Sequence, residues 1–261
     1  MRLITLSLVL ALSCGTFAQK AGTVRQDAKG IAMVYVPGGL FSMGSNARPN
    51  ERPLHKVHLS GYWIGKNDVT VSQFRRFCAL SGFKFDWEGH KPSWGWKDTH
   101  PMVNVSWADA RAFCKWAGGD LPTEAQWEKA ARGSKAREYP WGKEWDPAKC
   151  WCSHRDFGDV GSTASVGSFP LGASPYACLD MSGNVWQWCL DWFSPSGYEL
   201  RQSHDPKGHA SGTVHVLRGG SWADLDPDFF RAAYRSDDGR SSRNGTCGFR
   251  LVQRRIRLVK R

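Results

Sequence analysis

The sequence of 261 residues has no Cys-x-x-Cys, no internal repeat, no low-complexity tract and, beyond Leu12, no apolar stretch fit to cross a bilayer. The missing Cys-x-x-Cys argues against a structural zinc site, and Cys150-Trp151-Cys152 is too tight for a zinc knuckle. Without repeats or linkers, the chain reads as one domain. Basic residues outnumber acidic ones, 35 to 24, for a net charge of +11. A basic surface can attract nucleic acid, but here the charges are scattered and no helix carries a basic stripe, so no nucleic-acid partner is expected. Only the tail from Arg254 to Arg261 concentrates charge, and it reads as a solvated end.

What is present starts with an address. Arg2, the apolar run Leu3 to Leu12 and Thr16-Phe17-Ala18 form a secretory signal too short to span a membrane. Cleavage after Ala18 is the expectation, leaving the protein exported, periplasmic or secreted. Ala11-Leu12-Ser13-Cys14 keeps a lipid anchor at Cys14 open as the alternative. Residues 19–29 are expected to be a flexible lead-in, 30–253 the domain and 254–261 the tail. With Cys14 removed or lipidated, Cys78, Cys114, Cys150, Cys152, Cys178, Cys189 and Cys247 remain. An exported chain permits disulfides among them, with an odd number to distribute.

The domain is rich in rings and turns, with 14 Trp, 13 Phe, 28 Gly and 13 Pro. Short strands are predicted around Met33–Val36, His55–Leu59, Tyr62–Gly65 and Val216–Leu217, and across Gly248–Leu251. Three helices are predicted after the N-caps Thr70, Ser106 and Thr123, with stops at Gly82, Gly118-Gly119 and Gly133. Thr123 and Gln126 have capping-box spacing. The stretch from Ala223 to Cys247 has loop composition behind an Arg218-Gly219-Gly220-Ser221-Trp222 turn, and is the expected place of function.

Ordered motifs give a second line of inference. They include Pro37-Gly38-Gly39, Phe41-x-Met43-Gly44-Ser45, Asn104-Val105-Ser106-Trp107, Leu121-Pro122-Thr123-Glu124-Ala125-Gln126-Trp127-Glu128, Pro140-Trp141-Gly142, Gly183-Asn184-Val185-Trp186-Gln187-Trp188, Arg218-Gly219-Gly220-Ser221-Trp222 and Gly248-Phe249-Arg250. From about Gly30 to Gln253 the chain resembles the formylglycine-generating enzyme, or sulfatase-modifying factor, family. The resemblance implies an α+β fold: a single compact C-type lectin-like domain, low in regular secondary structure. It also implies a family of mixed function, holding copper-dependent oxidases, catalytically silent paralogues and scaffolds for variable binding loops, so fold alone does not fix activity.

In the oxidases, two cysteines shortly after the Gly-Gly-Ser turn bind Cu(I). The corresponding stretch here, Trp222 to Arg231, has none, and Asp224 stands at the first thiolate position. Carboxylates are hard ligands, which argues against copper and against formylglycine generation by that route. Candidate catalytic residues are Ser221, Asp224 and Arg235; candidate ligand-binding residues are Ser221, Trp222, Asp224, Asp226, Arg231 and Arg235. Asp224, Asp226 and Asp228 alternate as strand neighbours facing one way would, against the blander reading of an acidic loop countered by Arg231 and Arg235. Trp186, Trp188 and Trp222 are expected in the core. The resemblance further implies a structural calcium site at Asp180, Gly183, Val185 and Gln187, with Gln187 supplying an amide where the family has a carboxylate.

The function expected is therefore a non-copper binding or accessory protein whose ligand is a small molecule, peptide or protein. One alternative is a metal-dependent oxidoreductase that matures a secreted protein or peptide. The other is a scaffold displaying Ala223 to Thr246 as a variable binding loop.

Overall fold

In the computed structural model, residues 19–153, 161–198 and 203–254 are described. The expected signal and most of the basic tail lie outside them. The first sheet has the order β1-β2-β5-β10, from β1 (Val24–Gln26), β2 (Ala32–Val36), β5 (Tyr62–Gly65) and β10 (Val252–Arg254), all antiparallel. Strands β3 (Gly39–Met43) and β4 (His55–Leu59) form a separate hairpin. A third sheet runs β8-β7-β6-β9, from β6 (Trp186–Trp192), β7 (Val214–Arg218), β8 (Ser236–Gly239) and β9 (Cys247–Gly248), with β9 parallel to β6.

Part of the expected lead-in is ordered. Val24 pairs with Val34, and Asp27 closes the turn between the two strands by accepting the N–H groups of Lys29 and Ile31, each at 2.8 Å. A local side-chain turn of this kind holds a short strand that composition alone does not reveal.

The helices begin where their caps place them. α1 (Val71–Ser81), α2 (Trp107–Trp116) and α3 (Glu124–Arg132) each carry a capping box, with Thr70, Ser106 and Thr123 answered by Gln73, Asp109 and Gln126. Such a box satisfies N–H groups that a helix start leaves bare. Gly82 ends α1 at φ 73°, in the left-handed region glycine tolerates. Phe74, Phe77 and Phe113 from α1 and α2 pack with Phe249 and Trp188 in one core; Trp127, Ala130 and Ala131 of α3 pack with Phe41, Tyr62 and Val216 in another.

The Gly248–Leu251 block is not one strand. β9 stops at Gly248, and Arg250, wholly buried, turns inward. Its guanidinium donates to the carbonyl oxygens of Gly65 (2.9 Å), Leu179 (2.8 Å) and Asp180 (3.1 Å), to Asp68 Oδ1 (3.1 Å) and to Gln187 Oε1 (2.6 Å). An arginine buried this way needs every donor matched, and here its partners knit the first and third sheets together. The seven described cysteines are all free thiols, and all but Cys78 are buried.

Candidate functional site

The turn after β7 is built by glycine. Gly219 and Gly220 have φ of 104° and 73°, and a Cβ on Gly220 would stand 2.6 Å from Cδ1 of Phe230. Only a residue without a side chain fits both the conformation and the contact. The turn delivers Ser221 beneath Asp224: Ser221 Oγ (2.7 Å) and Ser221 N–H (2.8 Å) both donate to Asp224 Oδ2. Burial raises the Asp224 pKa above the ordinary carboxyl range, and the Ser221 bonds recover only part of that cost. The Ser221 hydroxyl is thus tied to the carboxyl of its own turn.

Trp222 continues the turn, its indole N–H donating to the carbonyl of Gly245 at 3.0 Å and its ring meeting Trp94 edge-on at 5.3 Å. It is half-buried, while Trp188 is wholly buried and Trp186 nearly so. The core expectation therefore holds for the last two and is corrected for Trp222, whose partner sits in the surface loop carrying Trp94.

The remaining predicted site residues are drawn elsewhere. Asp226 caps the short 3-10 turn Pro227–Phe230 by accepting the N–H of Asp228 at 3.0 Å. Asp228 pairs with Arg48 and Arg231, and Arg231 grips Glu51 through two hydrogen bonds of 2.7 and 3.0 Å. The three aspartates thus do not alternate along a strand, and they have three different sets of partners. Arg235 pairs with neither Asp237 nor Asp238: its fork closes on Glu124 at 2.6 and 2.8 Å and leaves a third contact, 2.7 Å, to the carbonyl of Asn50. Burial raises the pKa of Glu124, but the Arg235 and Arg218 guanidiniums outweigh it and hold Glu124 below the usual carboxylate range. The candidate residues from Ser221 to Arg235 therefore fall into a turn, an ion-pair cluster and a deeper charged centre.

That centre borders a cavity of about 210 Å³. Its walls include Glu124, Arg235, Asp191, Tyr198, His55 and His209. Asp191 stands near the end of β6, within the irregular pairing between Trp188 and Trp192, and such bulges re-aim side chains. Its Oδ2 accepts the N–H of Glu124 at 2.8 Å. Burial, reinforced by the negative charge of Glu124, raises the Asp191 pKa to about 7. Its main-chain carbonyl is 3.1 Å from Nδ1 of His215, whose ring lies between Trp107 and Trp192 with centroids 4.0 and 3.8 Å away. Burial lowers the His215 pKa to about 4, so this imidazole is neutral. None of these groups follows from a local motif except Glu124, which lies in the Leu121–Glu128 signature. A buried acid in an aromatic strand, Trp188-Cys189-Leu190-Asp191-Trp192, was the available signal for Asp191.

Three of the four expected calcium ligands, Gln187, Asp180 and Gly183, already accept hydrogen bonds. Gln187 Oε1 already accepts from Trp127 Nε1 (2.6 Å) and Arg250 Nε (2.6 Å), while its amide nitrogen donates to the Asp180 carbonyl. Asp180 Oδ2 accepts the N–H of Gly167 at 2.7 Å, and the Gly183 carbonyl accepts that of Val185 at 2.9 Å. The Arg250 guanidinium therefore lies directly against the Gln187 amide oxygen. Among the described residues no group of three or more His, Cys, Asp or Glu is arranged to hold a metal ion.

Fold and motifs define an α+β domain in which long loops are tied by buried arginine–carboxylate pairs. The sulfatase-modifying factor enzyme 1-like domain matches residues 19–255, and the chain belongs to that family. It is 33% identical to the formylglycine-generating enzyme of Streptomyces coelicolor over 295 residues, covering 90% of this chain and 93% of that protein. It is 35% identical over 242 residues to serine/threonine-protein kinase pkn1 of Chlamydia caviae, but spans only 38% of that protein's length. Among solved structures, PvdO from Pseudomonas aeruginosa superposes with a TM-score of 0.79 at 27% identity, covering 91% of this chain and all of the other. Treponema denticola variable protein 1 shares the fold, with a TM-score of 0.67 at 24% identity over 86% of this chain and 95% of that one.

Proposed function

We propose that this is an exported, copper-independent binding or accessory member of the family, with its ligand seated in the cavity beside Asp191 and Arg235. The observation that carries the reading is the contrast between the Ser221–Asp224 turn and the carboxyl at the cavity. At the Gly-Gly-Ser turn, the stretch 222–231 has no thiol, and Asp224 is clamped by Ser221. A hard carboxylate, itself held by hydrogen bonds, does not suit Cu(I), so no copper step is assigned to the turn. At the cavity, Asp191 is a buried carboxyl whose hydrogen-bond partner is a main-chain N–H and whose charge is opposed by Glu124. A small basic group on a ligand or peptide would add to the partial counter-charge that Arg235 supplies.

A cavity of about 210 Å³ is smaller than the usual range for drug-sized ligands, and fits an amine-bearing side chain or a compact metabolite. Entry of a cation would lower the Asp191 pKa and release its proton. Calorimetry of a basic ligand at pH 7 in two buffers of different ionisation enthalpy tests this directly. We expect proton release in the native protein and none in Asp191→Asn; proton-neutral binding in both would refute the reading. A metal-dependent oxidoreductase is the rival: metal-dependent oxidation of a protein or peptide substrate, followed by mass spectrometry and lost in Asp224→Ala, would displace the binding reading.

A further inference from the structure

Two thiols beneath the Ser221–Asp224 turn play no part in the reading above. Cys150 has extended backbone, with φ −148° and ψ 161°. In extended chain, residues two apart project to the same side, so Cys150 and Cys152 face each other with their sulfurs 3.8 Å apart. The side chains of Tyr139 and Phe230 pack around them. The same segment is fastened to the turn. Ser153 donates to the Trp222 carbonyl from its N–H (2.7 Å) and its hydroxyl (2.9 Å), while Asn184 donates to Trp151 O (2.8 Å) and accepts from the Trp222 N–H (2.9 Å). Two sulfurs are half of what a structural zinc site needs, and the described residues supply no further ligands around them.

The two thiols are not equivalent. Cys150 donates its S–H to Cys152, and that hydrogen bond holds the Cys152 thiol below its ordinary pKa. The same bond, with burial, pushes Cys150 well up. One sulfur is thus poised to ionise beside another that keeps its proton, the division between an attacking and a resolving thiol.

We propose that Cys150 and Cys152 form a dithiol–disulfide couple that exchanges with low-molecular-weight disulfides beside the Ser221–Asp224 turn. The Cys152 thiolate attacks one sulfur of the incoming disulfide; a protein–ligand S–S bond forms, the ligand's own S–S bond breaks, and one thiolate leaves. Cys150 gives its proton to that thiolate and attacks the Cys152 sulfur, expelling the second ligand thiolate, which takes up the proton Cys152 had lost. Two protein thiols are oxidised to one disulfide while one small disulfide is reduced to two thiols, so no further electron acceptor is required. The proposal is independent of what the Asp191 cavity binds.

The test uses the full-length protein, first reduced and then equilibrated in glutathione mixtures of increasing oxidised fraction, quenched with N-ethylmaleimide and digested with trypsin. Cleavage after Lys149 and Arg155 isolates both cysteines in the peptide 150–155. We expect its doubly alkylated form to fall about tenfold at the oxidising end, replaced by an unalkylated form lighter by two hydrogens, while Cys114 stays alkylatable only after unfolding. In Cys152→Ser, Cys150 should remain reduced at ratios that oxidise the native pair. Double alkylation across the whole range would overturn the proposal, as would linkage of either cysteine to Cys178, Cys189 or Cys247, or oxidation of all thiols together with Cys114. Because the native protein alone decides the outcome, a variant that fails to fold leaves the test intact.

Discussion

The Ser221–Asp224 turn and the Asp191–Arg235 cavity both hold a carboxyl whose pKa burial raises, but they spend it differently. Asp224 receives two hydrogen bonds from Ser221, three residues away, so the turn satisfies itself. Asp191 receives one N–H, from Glu124, and faces a space that is not filled by protein. A polar group satisfied by its own neighbours shapes a loop; one whose charged form is only partly compensated and that borders a cavity is available to a ligand. The contrast separates scaffold from site more sharply than the position of either residue in a motif.

The largest expected effect probes the scaffold of the cavity. Arg235→Ala removes a two-point partner of Glu124 in a fully buried setting, and should cost about 3–5 kcal/mol in urea unfolding. A cost below about 1 kcal/mol would mean that Arg218 alone suffices to hold Glu124 and that the pair is not a support of the cavity.

The next sharpens the contrast through pH. Asp191 has a folded pKa of about 7, above that of an unfolded carboxyl near 4. The folded state therefore binds this proton more tightly, and stability is fullest below the unfolded value and declines as pH rises toward 7. The penalty is complete above both values, and amounts to roughly 4 kcal/mol at most. Asp191→Asn should remove it, so the difference in melting temperature between variant and native protein should grow in the variant's favour from pH 5 to pH 8. A difference independent of pH would show that Asp191 titrates as an ordinary carboxyl.

At the turn, Asp224→Ala deletes the acceptor of both Ser221 bonds and should cost about 1 kcal/mol by the same unfolding measurement. A loss as large as that of Arg235→Ala would erase the proposed difference between the regions. Smallest of all should be the effect of EGTA. With Gln187 Oε1 committed to Trp127 and Arg250, chelation should leave the melting temperature unchanged, and a clear drop restored by calcium would reinstate the ion.

The same distinction explains what the sequence could reveal. Caps at Thr70, Ser106 and Thr123, the Gly219-Gly220 turn and the Ser221–Asp224 pair are legible because each partner lies within a few residues. Arg231 does counter the nearby Asp228, as its loop suggests, but its other partner, Glu51, and the partner of Arg235, Glu124, lie more than a hundred residues away and leave no local trace. Arg250 shows the same limit: a β-like Gly-Phe-Arg-Leu sequence yields to a guanidinium that finds acceptors in three distant segments. Val24–Gln26 joins the first sheet for a local reason, the Asp27 turn, which is visible once the strand is known.

The measurement that decides between the two regions is a thermal-shift screen of the native protein, Asp191→Asn and Asp224→Ala against small basic compounds and basic peptides. We predict ligands that stabilise the native protein and Asp224→Ala alike and lose their effect on Asp191→Asn. Ligands that keep their effect on Asp191→Asn and lose it on Asp224→Ala would place the binding site at the turn and contradict the cavity.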